Sequence, residues 1–596
     1  MNSKPISIRM CFLLILFFGI AAYANTFNVP FQYDAASLLT EQTFQPPFNS
    51  GKIWNVLPSR FVAHTSFALQ FAITGSAPWG FHVVNLLIHL LTTLAVFGTT
   101  RLLLRTPALR GTIPPEQHDV FSLASALLFL THPLQTESVT YIVQRLTSLA
   151  SLFYLATLWM YLKARLEDAR HYRVVFLFML AAMMSKEISF TIPFAILLVD
   201  FCFFPLSEKE TVLAKLLRWL PFAAFLLGIL LLFYLTSAGR FESSHAAVNT
   251  TTSRWCYLLT QFRVLRTYLR LLVFPVNQCV DYDYRLSSGR GDLDTWAAFY
   301  LLFNVFLLAI AFLKKYRLLA FGVLWFFLTL SVESTVIPLK DLIVEHRLYL
   351  PMFGFSLFFS SLLWQAARSP ARFLAIVLAL AVVLSGMTYA RNEVWQSPFT
   401  LWRDTVKRSP HKWRPYSKLG EAYMSELNDD KTALFYFHKA LETGGSSAGM
   451  LANMSTAYFR LKNPTAGTFY HDWANSIMDP RDQAAQVVLY GNEAVTLRNE
   501  KKIPEAITSL KKALAINSQY QRAPILILLG EFYRESGQED AAIAAFRQAI
   551  EAAPASKEGY DALALLYKEK GENQKALAVI IEYLRFKQKH KQLFGN

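Results

Sequence analysis

The chain has 596 residues, of which 54% are hydrophobic and 17% charged, and it carries a formal net charge of +16. A soluble protein of this size has about a quarter charged residues, so the composition excludes a wholly soluble protein. The basic excess falls in short loops between apolar blocks, where membrane topology accounts for it without a nucleic-acid partner.

Apolar blocks occupy 8–24, 81–104, 119–133, 139–162, 173–186, 188–206, 217–235, 294–313, 317–332, 349–365 and 371–389. By the rule of about 20 residues per crossing, they predict about eleven transmembrane helices. The first block is ambiguous. Its apolar run 11–20 follows Arg9, and Ala22-Tyr23-Ala24 has the form of a cleavage site, so it reads as a signal peptide or a first helix. In either case the chain after Ala24 lies outside.

With the N-terminus inside, the cytoplasmic loops carry Arg101, Arg105, Arg110, Lys163, Arg165, Arg170, Arg173, Lys209, Lys215, Arg218, Lys314, Lys315, Arg317, Arg368 and Arg372. This satisfies the positive-inside rule. An odd number of crossings then puts everything beyond about residue 390 outside. Segment 258–275 stands apart from the count, because Arg263, Arg266 and Arg270 recur there at helical spacing among apolar residues. It is expected to lie in the interface with its arginines toward headgroups, a tilted crossing being the alternative.

The predicted domains are a membrane body, 1–390, a linker, 391–410, and a repeat domain, 411–596. The repeat has the tetratricopeptide period of about 34 residues. Its clearest copy has Leu526, Leu529, Gly530, Tyr533, Ala542, Phe546, Ala549 and Pro554, followed by Tyr560, Leu563, Ala564, Tyr567 and Ala576. Weaker copies surround Tyr416, Leu419, Gly420 and Tyr423, and Ala494, Ala506, Leu510 and Ala513. Four or five units make a stacked solenoid. The fold class is therefore all-α: a polytopic helical bundle followed by a tetratricopeptide-repeat α-solenoid.

The four cysteines, Cys11, Cys202, Cys256 and Cys279, have no metal spacing. Cys256 and Cys279 share an outer region and either pair or remain free thiols. No Gly-rich phosphate loop or nucleophile elbow is present. Polar groups instead gather at the outer helix ends: Asp34, His132, Glu137, Arg145, Lys186, Glu187, Glu333, Lys340, Asp341, Glu345, His346 and Arg347. A carboxylate there can take a proton from a hydroxyl, and cations can stabilise a departing phosphate. The plainer reading is that these charges anchor the bundle in headgroups.

Several stretches resemble the transmembrane-and-tetratricopeptide protein O-mannosyltransferases, within the wider class of multispanning transferases that use polyprenyl-phosphate sugars. They are 78–89 (PWGFHVVNLLIH), Thr131-His132-Pro133 with Thr136-Glu137, Ser185-Lys186-Glu187, 257–261, and Glu333-Ser334 leading to 345–351 (EHRLYLP). The resemblance runs from about residue 25 to the C-terminus and favours a first transmembrane helix over a signal peptide.

The resemblance implies an inverting transfer of one sugar, mannose or another hexose, from a polyprenyl phosphate to Ser or Thr hydroxyls of an extracytoplasmic protein. Asp34 is the implied base. Arg347, Lys340, Arg145 and Arg60 are the implied phosphate ligands, and His132, Glu137, Lys186, Glu333 and His346 the supporting residues. Relatives usually have an acidic pair in the first outer loop, whereas Ala35 follows Asp34 here. No cofactor is required, the lipid-linked sugar being a co-substrate, and dependence on a divalent metal is left open. Expected partners are that donor, membrane lipids and a protein acceptor held by the repeats. The expected location is a bacterial inner membrane with the repeats in the periplasm. Two other readings stand beside this one: a non-enzymatic membrane-anchored repeat scaffold, and an oligosaccharide ligase or polymerase. Asn85 and His89, one helical turn apart in an apolar span, are expected to make interhelical hydrogen bonds.

Overall fold

The computed structural model describes residues 6–40, 44, 49–205, 211–236, 252–289, 291–479, 483–516, 522–554 and 556–589. Among these the regular elements are helices, with no strand. The chain divides into two compact units, a body up to residue 38 and from 43 to 408, and a repeat unit over 409–596.

The main helices of the body are α1 (Ile8–Tyr23), α2 (Phe61–Thr74), α3 (Pro78–Leu103), α4 (His118–Thr131), α5 (Arg145–Leu166), α6 (Tyr172–Met183) and α7 (Ile192–Phe203). They continue with α8 (Val212–Thr236), α9 (Arg254–Val273), α10 (Leu293–Ala311), α11 (Arg317–Leu330), α12 (Pro351–Ala366), α13 (Pro370–Glu393) and α14 (Pro398–Arg408). Each of the eleven apolar blocks coincides with one of these helices. Four of them, α3, α8, α10 and α13, are long and apolar enough to cross a membrane, while α1 and α11 are apolar but shorter. The expected count of about eleven crossings is therefore not confirmed. The reason is length: the 14 residues of α4 or α11 rise about 21 Å, against a hydrocarbon core of about 30 Å. The lipid-facing character of the body is nevertheless plain. Leu213, Leu217, Leu220, Leu227 and Leu231 of α8 are exposed, as are Leu301, Leu307 and Leu308 of α10, an apolar surface too extensive for water.

Direction along the bundle sorts the charges into two ends. Where α3, α5 and α7 end and α4 begins, Arg101 pairs with Asp119 at 2.5 Å, Arg105 with Glu167 at 2.8 Å, and Arg165 and Arg218 with Asp200. The opposite end holds the starts of α5 and α12 and the ends of α4, α6 and α11, where the candidate site residues lie.

Segment 258–275 falls within α9, whose arginines are engaged by protein. Arg266 meets Asp294 at 2.7 and 3.1 Å, Arg263 donates to the Arg285 carbonyl at 2.5 Å, and Arg270 to the Val276 carbonyl at 3.2 Å. For Arg263 and Arg266 this corrects the expectation that they face headgroups, because Asp292 and Asp294 at the start of α10 partner them, whereas Arg270 stays exposed. The other side of α9 secures the loop after α11. Tyr257 Oη donates to the Glu333 carbonyl at 3.0 Å, Gln261 Nε2 to Leu342 O at 3.2 Å, and Tyr268 Oη to Val344 O at 2.8 Å.

The expected linker is also partly body. Trp395 and Trp402 are 1% and 3% exposed, and the body runs to Arg408.

The repeat unit contains five helix pairs among the described residues, beginning at Trp413, Ala448, Gln483, Arg522 and Lys557. The pair Ala448–Arg460 with Pro464–Ser476 escaped the sequence reading. In other copies a glycine lets the helices close: a Cβ at Gly420 would stand 2.7 Å from Phe437, and one at Gly530 2.4 Å from Phe546. The second pair has Met454-Ser455 where those copies have Leu-Gly, and Ser455 Oγ instead donates to the Gly467 carbonyl at 2.8 Å. Ion pairs at the repeat period, Arg534–Glu569 at 2.9 Å and Arg547–Glu582 at 2.7 Å, join successive copies.

Candidate active site

The stretch from His132 to Thr147 organises the site end of the body. His132-Pro133 stops α4, and the run of Gln135, Thr136, Glu137, Thr140 and Gln144 is too polar to continue an apolar helix. Short helical turns at Pro133–Gln135, Thr136–Val139 and Ile142–Gln144 result. Asn85 of α3 secures them, its Nδ2 donating to the carbonyls of Val139 at 3.1 Å and Ile142 at 3.3 Å. His89 bonds Tyr349 Oη at 2.8 Å and the Leu130 carbonyl at 3.0 Å. Both residues make the interhelical bonds expected of them.

Three site residues, Lys186, Glu333 and Arg347, form one cationic network beside this stretch. Lys186 Nζ donates to Thr147 Oγ1 at 2.9 Å and lies 3.3 Å from Glu333 Oε1. Arg347 Nε is 3.8 Å from the same oxygen, and its Nη groups donate to the carbonyls of Leu342 at 3.2 Å and Asp341 at 3.0 Å. Burial alone would raise the Glu333 carboxyl, yet Lys186 and Arg347 hold it below the usual carboxylate range. One carboxylate thus faces two cations, and the network keeps a net positive charge. Lys340 is exposed on the same loop.

Glu137 and His346 form a second pair. The carboxylate accepts the His346 backbone N–H at 3.0 Å and contacts Nδ1 at 2.9 Å. Burial raises Glu137 to about 7 and pushes His346 well below its ordinary value. Glu345, the preceding residue, accepts from Gln278 Nε2, the Cys279 backbone and Tyr282 Oη at 2.6 to 2.7 Å. These carboxylates pin the 345–348 turn to two other segments.

Asp34 sits in the turn Tyr33–Ala36 with its side chain exposed. Its backbone N–H donates to Tyr141 Oη at 3.0 Å. Ala35, where relatives carry a second acid, is 0% exposed. A carboxylate at 35 would be packed inside the turn, away from solvent, so the turn Tyr33–Ala36 presents one acid, Asp34.

Two expected phosphate ligands are otherwise engaged. Arg145 is enclosed: Nε donates to Asn85 Oδ1 at 2.7 Å, and Nη1 and Nη2 to the carbonyls of Ser66 at 3.3 Å and Phe81 at 3.2 Å. Its guanidinium also lies 4.6 Å from the Phe67 ring centre. With no exposed surface, Arg145 braces α2, α3 and α5. Arg60 grips Glu187 through Nε at 3.2 Å and Nη2 at 3.3 Å, while Ser59 Oγ adds a third bond at 2.8 Å. Burial works against the Glu187 charge, and Arg60 holds its carboxyl below the usual range. His132 is buried, its Nε2 on the Leu272 carbonyl at 3.1 Å.

Tyr141, Asn392, Trp395 and Trp402 also shape the site, and the sequence reading did not single them out. Two tryptophans within eight residues of a supposed linker were the available signal, since a solvated linker has no use for them. All four cysteines are free thiols. Among the described residues no group of three or more His, Cys, Asp or Glu is placed to hold a metal ion.

A tetratricopeptide-repeat family model matches residues 497–566. Curated proteins similar to this chain include the Drosophila melanogaster "Protein O-mannosyl-transferase Tmtc3", 24% identical over 539 residues, which cover 77% of this chain and 57% of that protein. The Homo sapiens "Protein O-mannosyl-transferase TMTC3" is 22% identical over 623 residues, covering 94% of this chain and 66% of that protein. The Mus musculus "Protein O-mannosyl-transferase TMTC2" is 34% identical over 160 residues, 24% of this chain and 18% of that protein. The chain spans 57% and 66% of the length of the first two of these relatives. Its homologues are thus the transmembrane-and-tetratricopeptide proteins named as protein O-mannosyl-transferases.

Proposed function

We propose that this chain is an inverting membrane glycosyltransferase that moves one hexose, mannose by its homologues' names, from a polyprenyl-phosphate donor to Ser or Thr hydroxyls of a protein. The observation that supports this reading is the presence, at one end of the body, of the exposed Asp34 carboxylate and of a largely buried, net-positive Lys186–Glu333–Arg347 network. Asp34 takes the acceptor hydroxyl proton as that oxygen attacks the anomeric carbon. The new C–O bond forms on the face opposite the breaking bond, and the polyprenyl phosphate leaves with the bonding electron pair. One carboxylate suffices, unlike the pair used by most glycoside hydrolases.

Lys186, Arg347 and the exposed Lys340 balance the negative charge on the leaving phosphate. Arg60 is a further ligand only if Glu187 yields it. Glu137, His346 and His132 hold the loops. The basic loops at the other end of the bundle support, by the positive-inside rule, a site outside the cytoplasm, which in a bacterium is the periplasmic face of the inner membrane. The repeat unit holds the protein acceptor, as solenoids present extended concave surfaces.

The test is a transfer assay with the purified full chain in lipid nanodiscs, polyprenyl-phosphate mannose and a Ser/Thr-rich peptide. Wild type is expected to add a single hexose mass and Asp34→Asn none. Transfer only when a polyprenyl-linked oligosaccharide replaces that donor favours the ligase reading, and full activity of Asp34→Asn removes Asp34 from the reaction.

A further inference from the structure

Asp34 occupies an exposed turn, where a carboxylate would ordinarily sample many directions, and a base has to be aimed at one hydroxyl. The backbone around it is held in an uncommon way. Tyr33 has φ +51°, the left-handed region that large side chains rarely enter and that persists only where surroundings impose it. Those surroundings centre on Tyr141. Its ring stacks on Trp395 at 5.1 Å and on Tyr33 at 6.2 Å, while Trp402 meets the Tyr33 ring edge-on at 5.4 Å. Gln32 Nε2 donates to the Trp395 carbonyl. Next to Tyr141, Thr140 Oγ1 donates to Asn392 Oδ1 at 2.8 Å, and Asn392 Nδ2 to the Ala22 carbonyl at 3.0 Å. The end of α1, the turn after α4 and the end of α13 are therefore locked together around one phenol.

We propose that Tyr141 is a positioning residue for Asp34: its hydroxyl takes the Asp34 backbone N–H and fixes the direction in which the carboxylate leaves the turn. The inference rests on Asp34 being the base, and it adds that a buried phenol and the two tryptophans behind it set the base's aim. Burial first, and the Asp34 charge second, push the Tyr141 phenol well above its ordinary value, so it stays a neutral hydroxyl. It then has its own proton to offer while it accepts from the backbone. Ring packing alone does not require that hydroxyl. A phenylalanine fills the same slot between Tyr33 and Trp395 and leaves only the Asp34 N–H without its partner.

The experiment compares wild type, Asp34→Asn and Tyr141→Phe, as full chains in nanodiscs, for mannose transfer from polyprenyl-phosphate mannose to a Ser/Thr-rich peptide. Tyr141→Phe is expected to lower kcat about tenfold, with both KM values and the melting temperature unchanged, as a misaimed base predicts. Wild-type kcat in Tyr141→Phe, with Asp34→Asn inactive, overturns the positioning role and leaves the proposed reaction standing. Full activity of Asp34→Asn overturns the reaction itself. Should Tyr141→Phe melt early, kcat is measured per folded molecule below its melting transition, and a wild-type value there overturns the proposal.

Discussion

Lys186 Nζ and Arg347 Nε approach the same oxygen of Glu333, at 3.3 and 3.8 Å, so one nearly buried carboxylate serves two cations. Removing one partner of such a group is costly, because the remaining charge stays desolvated. Glu333→Gln is therefore expected to lose about 3 kcal/mol of stability, read by thermal melting in nanodiscs. Lys186→Met keeps the Glu333–Arg347 pair and should instead raise the donor KM by about tenfold, the worth of one charge-assisted contact. An unchanged donor KM would remove Lys186 from the phosphate site.

The pH dependence of stability carries a signature of the Glu137–His346 pair. Glu137 is raised from 4.5 to about 7, so its stabilising contribution is complete below about 4.5 and is lost as pH rises through 7. His346 is lowered below 6.5, so its contribution is lost as pH falls below 6.5. The two slopes oppose each other between about pH 5 and 6.5. Glu137→Gln leaves only the histidine slope, and its melting temperature should climb more steeply with pH across that window than the wild type's. Parallel curves for the two proteins would show that Glu137 titrates as an ordinary carboxyl.

Arg145 separates a brace from a ligand. Its three donor groups reach acceptors from α2 and α3 in a fixed fork that a lysine cannot reproduce. Arg145→Lys is expected to cost about 2–3 kcal/mol while the folded fraction keeps its donor KM. A raised donor KM at undiminished stability would return Arg145 to the phosphate.

Within the repeat unit, Gly530 and Gly449 predict opposite outcomes. A Cβ at Gly530 would stand 2.4 Å from Phe546, whereas nothing lies within 4 Å of one at Gly449. Gly530→Val should destabilise the solenoid by about 2 kcal/mol through overpacking. Gly449→Ala should be neutral or stabilising by about 0.5 kcal/mol. Urea unfolding of both variants checks the contrast, and equal midpoints would contradict it.

Much of this organisation is written in local pattern. The apolar blocks are helices because nothing polar interrupts them, and the copies with Leu529-Gly530 or Leu419-Gly420 announce their own helix crossings. The convergence of Lys186, Glu333 and Arg347 was legible as polar residues stranded at helix ends. What stayed hidden depends on distant partners. Arg263 and Arg266 of α9 resemble lipid contacts until Asp294 folds back on them. Arg145 looks like a phosphate ligand until Asn85 and the Ser66 and Phe81 carbonyls enclose it. Tyr141 carries no charge to mark it, and its role exists only once Asp34, over a hundred residues earlier, meets its hydroxyl. The number of crossings is equally illegible from hydropathy, since helices of 12 to 14 residues such as α6 and α4 carry apolar sequence without spanning length.

The most direct test of the central claim is intact-mass analysis of extracytoplasmic glycoproteins from cells carrying wild type, a deletion, or Asp34→Ala at matched expression. The account predicts that a single-hexose mass on Ser or Thr disappears equally in the deletion and in Asp34→Ala. Unchanged glycosylation in both would contradict it and leave a membrane-anchored repeat scaffold as the reading of this chain.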